Sequence, residues 1–330
     1  MLGALTQIDS AGFAAIDANL NGDAPEIAAA WLGKVERAGL AAQAVMWPDS
    51  MKAAVDGFVK AAGDLAAALG ADDAAKAAPL AKAAAEAQAA LSQATYAAVA
   101  GMAGSSEGAG ATLGALGVIN LAGIGSMETA LAADGAEINP AWESRVANAR
   151  VAALALVWPG ESQAAADAFV TAATALEAAV KANDVAAAKE AAVAANKARG
   201  TLATRGYGAL SGMRQTADSN GAALAALAAV DTAAFHGIDE GLNGDKPEIQ
   251  AAWAGRVTTA KRAIQTIRWS AEVQTAADAF SKTISALEAQ LTAKEPDLAK
   301  AGEAAAAAHE AQHTFSEIAY AAIGGKVAAH

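Results

Sequence analysis

The chain contains no cysteine, only seven prolines in 330 residues, and aromatics at 5%. The missing cysteine excludes disulfides, thiolate chemistry, iron–sulfur clusters and cysteine zinc sites together. Scarce aromatics, with valine and isoleucine too sparse for half-buried strands, exclude an all-β reading. Basic residues are also short: 23 Lys and Arg face 35 Asp and Glu, for a formal charge of −12. With no basic stripe to neutralise phosphates, no nucleic-acid partner is expected. The start MLGALTQIDS has no basic region followed by a long apolar stretch, so no export signal is read there. The longest uncharged run, Gly108 to Met127, has about the length of a membrane span. Its glycines and Asn120 break it, and it is assigned to a linker and a soluble helix, so no membrane span is expected.

What is abundant is alanine. A hydrophobic share of 55% with so few aromatics is the composition of packed helices, and it excludes ordinary disorder. The order is repetitive. Trp31, Trp142 and Trp253 are spaced by 111 residues, as are Trp47, Trp158 and Trp269, and the register extends to Phe58, Phe169 and Phe280. Three tandem copies account for the chain, over 1–101, 112–212 and 223–325, with joints at Gly101–Gly110 and Gly212–Gly221. Tyr96 and Tyr207 match Tyr320 only after a two-residue insertion, placed at Thr292–Pro296.

Punctuation divides each copy into four helices. Asp9, Asn120 and Asp231 read as N-caps of a first helix ending near Leu20 in the first copy. The turn NGDAPE puts Pro25 at the start of a second helix that runs to Trp47. Asp49 or Ser50 caps the third, and Gly70 with Asp72 and Asp73 turns into a fourth ending at Gly101. The fold class expected is all-α: three tandem antiparallel four-helix bundles of about 111 residues each. The repeated tryptophans read as core anchors, because each buries several times the area of an alanine.

Repetition also supplies an internal comparison. Positions kept in all copies are architectural, and residues found in one copy only are the functional candidates. All four histidines lie in the third copy. His236 replaces Ala14 and Gly125, His309 replaces Ala85 and Asn196, and His313 replaces Ala89 and Gly200. His236 and Asp239 share a face of the first helix, with Glu240 four residues from the histidine, and His309, His313 and Glu317 form one stripe on the fourth. First and fourth helices of such a bundle are neighbours, so the two stripes can face each other as metal sites in bundle cores do. His236, Asp239, His309, His313 and Glu317 are therefore the candidate ligands. Imidazole with carboxylate and no thiolate suits iron, zinc, copper or manganese. Against this, the acid recurs as Asp17 and Glu128 in copies without the histidine. A base recurs as Lys34, Arg145 and Arg256, so an interhelix ion pair explains the acid equally well. An exposed i, i+4 pair is the plain alternative for His309 and His313, and His330 reads as a chain-end tail.

The first-helix segments GFAAIDANLNGD, GIGSMETALAADG and AFHGIDEGLNGD together resemble the imelysin-like family, whose signature is Gly-x-His-x-x-Glu. By position the family's histidine falls on His236 and its acid on Asp239, with aspartate in place of glutamate; copy three carries Ala234 where the signature has glycine. The resemblance implies a helical-bundle protein, periplasmic or extracellular, with metal, iron above all, held at those two positions. Three readings follow. The first is a non-catalytic protein binding iron or zinc in the third copy. The second is a rod of three bundles that binds a protein partner or self-assembles. The third holds haem or another tetrapyrrole between helices, with a histidine as axial ligand and Met102 and Met213 near helix ends. No nucleophile with a positioned base is visible, so proteolysis is not predicted.

Overall fold

The computed structural model describes residues 1–324; residue 325, where the third copy was expected to end, and His330 lie outside the described residues. The fold is all-α. The first copy holds α1 (Leu2–Ser10), α2 (Phe13–Leu20), α3 (Ala30–Gln43), α4 (Lys52–Gly70) and α5 (Ala74–Ala100). The second holds α6 (Ala109–Leu121), α7 (Ile124–Ala132), α8 (Ala141–Leu154), α9 (Ser162–Lys181) and α10 (Val185–Ser211). The third holds α11 (Asn220–Ala233), α12 (Phe235–Asn243), α13 (Ala251–Thr266), α14 (Ala271–Leu291) and α15 (Leu298–Ile323).

Among the described residues each copy thus has five α-helices where four were expected: α2, α7 and α12 are the expected first helices, and α1, α6 and α11 precede them as helices not expected from the sequence. Gly12, Gly123 and Ala234 all sit in the left-handed region, with φ of 74°, 70° and 57°. Asp9, Asn120 and Asp231 consequently lie in the last turn of α1, α6 and α11, and do not cap a helix start. Their oxygens are taken by side chains, Asp9 by Gln88 and Ser92 of α5 and Asn120 by Arg199 of α10. The second predicted helix starts later than Pro25, at Ala30, and ends at Gln43 rather than Trp47. A 3-10 turn, Asp49–Met51, then leads into α4 without a side-chain cap. The fourth predicted helix holds as drawn: Asp73, Asp184 and Asp297 each accept from backbone N–H groups at the starts of α5, α10 and α15. The indoles of Trp47, Trp158 and Trp269 donate to the carbonyls of Ala42, Ala153 and Ile264, satisfying acceptors left open where α3, α8 and α13 end.

The copies are not strung out as a rod. α1, α6 and α11 pack on one another at the centre, and each also packs on the third helix of its own copy. They approach closely because glycines face each other: a Cβ on Gly114 would stand 2.8 Å from the Gly3 nitrogen. The stretches Ala109–Ala132 and Asn220–Asn243 have the length and hydropathy to cross a membrane. Each is two helices here, broken at Gly123 and Ala234, with α6 and α11 in the centre of the fold. The joints are also fixed in place. Ser106 exchanges backbone hydrogen bonds with Ala155 and Val157, and Thr216 and Ala217 do so with Thr266 and Arg268.

Around this centre the outer helices meet at seams. α5 packs on α8 between the first and second copies, and α10 on α13 between the second and third. The third seam joins copies with no covalent link between them, and here α15 and α3 barely touch. The space they leave is the cavity described next.

Candidate functional site

A cavity of about 810 Å3 opens between α3 and α15 at the end where α1 and α11 terminate. Such a volume lies within the usual range for small-molecule sites. His236, His309 and His313 line it, facing Lys34 and Arg37 of α3 across the seam. His236, His309 and His313 of the third copy therefore border a space shared with the first copy.

The candidate residues fall into a connected chain. α12 packs on α15, which brings Asp239 to His309: Asp239 Oδ2 lies 2.9 Å from His309 Nδ1. His309 Nε2 in turn lies 2.9 Å from His313 Nε2. The i, i+4 spacing on α15 puts both rings on one face, with centroids 4.7 Å apart. The His236 ring packs against His309 at 4.9 Å, while its Nε2 lies 3.2 Å from Glu240 Oε1 on the next turn of α12. Asp239 and His309 are largely shielded, and His236 and His313 are exposed. Burial, with the nearby His309 and His236 rings and Arg37, holds the His313 pKa below the usual imidazole value and favours its neutral form.

Three expectations are corrected by this geometry. Asp239 bonds to the Nδ1 side of His309, away from the Nε2 pair, so it orients that ring and is not placed as a co-ligand with the pair. Glu317 continues the α15 stripe but is exposed and outside the bonded chain among the described residues. The ion pair expected between the recurring acid and the base of the next helix is not formed. Among the described residues Lys34, Arg145 and Arg256 make no salt bridge, and the acid reaches the fifth helix instead, Glu128 to Asn196 as Asp239 to His309. Among the described residues no group of three or more His, Asp or Glu side chains is gathered around a common point as a complete metal centre would be. Neither Met102 nor Met213 lines the cavity.

Sequence reasoning missed the opposite wall. Asp231 accepts from Gln7 at 3.1 Å and from the Tyr320 hydroxyl at 3.3 Å, with Arg37 Nε 3.9 Å away. The Arg37 guanidinium also stands 5.7 Å from the Tyr320 ring centroid. Arg37 corresponds to Asn148 and Thr259 in the other copies. Applied to basic residues, the comparison that singled out the histidines would have marked it.

The backbone beneath the cavity is strained. Ala234, which lines it, holds φ 57° and ψ 54°, where its counterparts are Gly12 and Gly123. A Cβ in this region costs about 1 kcal/mol or somewhat more. Ala234→Gly should therefore raise stability by about 1 kcal/mol, read as a higher midpoint in urea. An unchanged or lower midpoint would show that the alanine Cβ is compensated by packing.

The chain matches no protein-family model, no curated protein and no solved structure.

Proposed function

We propose that the protein binds a first-row transition metal, iron or zinc, through the Nε2 atoms of His309 and His313, with Asp239 orienting His309 and His236 beside them at the cavity wall. The observation that carries this reading is the Nε2–Nε2 separation of 2.9 Å. Two nitrogens bound cis to one ion, each about 2.0–2.1 Å from it, stand about 2.9–3.4 Å apart. Histidines at i, i+4 on a helix are a ready chelating pair, and a carboxylate on the far ring nitrogen fixes both tautomer and ring orientation. With Asp239 accepting from Nδ1–H, the His309 Nε2 would be left to face a metal beside the His313 Nε2. His309 and His313 would hold the ion, with His236 beside them at the cavity wall, and the ion would act there as a Lewis acid.

Chelator-treated protein titrated calorimetrically with Zn2+ and Fe2+ should take up about one equivalent. The His309→Ala/His313→Ala pair should abolish uptake, and Asp239→Asn should weaken it about tenfold by loosening the ring. Absent uptake, or uptake unchanged in the double variant, would overturn the reading.

A further inference from the structure

The cavity is positively lined in a chain whose formal charge is −12. Lys34 and Arg37 face it against one lining carboxylate, Asp231, and three imidazoles complete the wall, with Asp239 bonded behind His309 and Glu240 beside His236. Lys34 is exposed and forms no salt bridge among the described residues, so its ammonium group is open to a ligand in the cavity. Gln312 lines the same space with its amide free of hydrogen bonds among the described residues. Ala11, Leu121 and Phe235 provide an apolar floor. A volume of about 810 Å3 is far more than an ion needs, since one water occupies about 30 Å3.

We infer that this cavity is a binding site for a small organic anion carrying two or more negative charges, on carboxylate or phosphate groups. Its charged oxygens lie between Lys34 and Arg37 on α3 and Gln312 and the histidines on α15, and its carbon skeleton rests on the apolar floor. A cleft lined by one sign of charge with low-dielectric walls focuses field and concentrates ligands of opposite sign. The placement at the loosest seam has a further consequence. An anion held by α3 and α15 together bridges the first and last copies, which are joined only through the second, so binding stabilises the packing across this seam. The inference stands apart from the metal reading, since Lys34, Arg37 and Gln312 recognise the anion with no metal present. When a metal is bound as well, the same anion offsets its charge.

The test uses the full chain, stripped of metal with a chelator and then desalted into metal-free buffer at low ionic strength, titrated calorimetrically with citrate, with glycerol 3-phosphate and with uncharged glycerol. Saturable binding of citrate, of glycerol 3-phosphate or of both is expected, and none of glycerol; the stronger of the two identifies the acidic group. Lys34→Glu should weaken binding by about tenfold or more, and Lys34→Arg should stay within about threefold because the charge is kept. Lys60→Glu, on the exposed face of α4, serves as the control for generic surface charge. Two results would overturn the inference: no saturation by either anion into the millimolar range, or equal weakening by Lys34→Glu and Lys60→Glu. Because zinc and iron are absent throughout, failure here leaves the metal titration untouched, and failure there leaves this result standing.

Discussion

Gly3→Ala should destabilise the protein by about 1–3 kcal/mol, although alanine is the better helix former by about 1 kcal/mol. Gly3 lies on α1 where it crosses α11, and a Cβ built there falls inside contact distance of the Gly221 carbonyl and 2.9 Å from the Ala225 Cβ. The obstacle is backbone, which cannot swing aside as a long side chain can. On its other flank Gly3 meets Gly114 of α6, so all three central helices would have to separate. Gly57→Ala is the matched comparison. It is exposed on α4 with nothing within 4 Å of its virtual Cβ, and should stabilise by about 0.5–1 kcal/mol. Urea unfolding of both variants gives the answer through opposite shifts in midpoint. A raised midpoint for Gly3→Ala would mean that the three first helices do not meet as described.

Asp9→Asn should stabilise the protein, and only above mildly acidic pH. Gln88 and Ser92 hand the Asp9 carboxylate their hydrogen bonds at 2.5 and 3.1 Å, yet burial outweighs them and pushes its pKa up to about 6. A carboxyl whose folded pKa lies above its unfolded value near 3.9 is favoured protonated. Its stabilising contribution is complete below about pH 4 and is lost as pH rises through about 6. At pH 7.5 the ionised group then costs up to about 3 kcal/mol at 1.36 kcal/mol per pKa unit. Asparagine stays neutral, keeps an oxygen for Gln88 and Ser92, and already stands at the matching position as Asn120. The variant should equal the parent near pH 4 and gain between about pH 4 and 7. Unfolding free energies across that range check this, and a pH-independent difference would show that Asp9 carries no such penalty. Tyr96 is pushed in the same direction, its hydroxyl pKa raised by burial and by Asp9.

Much of the helical plan could be read directly from the residues. The turn read at Gly70, Asp72 and Asp73 does lead into a helix, and the structure makes Asp73 its N-cap, with Asp184 and Asp297 at the matching places, since an N-cap needs only a short acceptor beside a helix start. The insertion near Thr292–Pro296 falls in the longer connection between α14 and α15. The expected start of the first helix, at Asp9, Asn120 and Asp231, falls three residues early, because Gly12 and Gly123 sit among good helix formers and Ala234 carries no local sign of a left-handed residue. Tertiary packing fixes it there. Asp9 resembled an N-cap for the same reason: whether a carboxylate bonds backbone or a distant side chain depends on which helix lies against it.

The candidate site was half legible. Helical spacing alone aligned His309 with His313, and adjacency of first and last helices within a copy brought Asp239 to His309. Which nitrogen Asp239 would take, and that Glu317 would face solvent, depended on the rotation of α15 against α12. The cavity was not legible at all, because its two walls come from opposite ends of the chain.

The sequence by itself determined the helices, their repetition at 111 residues and the concentration of histidine in the last third, because propensity, capping and periodicity act over a few residues. Only the tertiary structure decided that the three copies gather around α1, α6 and α11, and that the seam without a covalent link stays open. Glycines at 3 and 114 permit that close approach, but which backbone each one meets is a property of the packed whole. From that arrangement alone, Lys34 and Arg37 of the first copy come to face the histidines of the third.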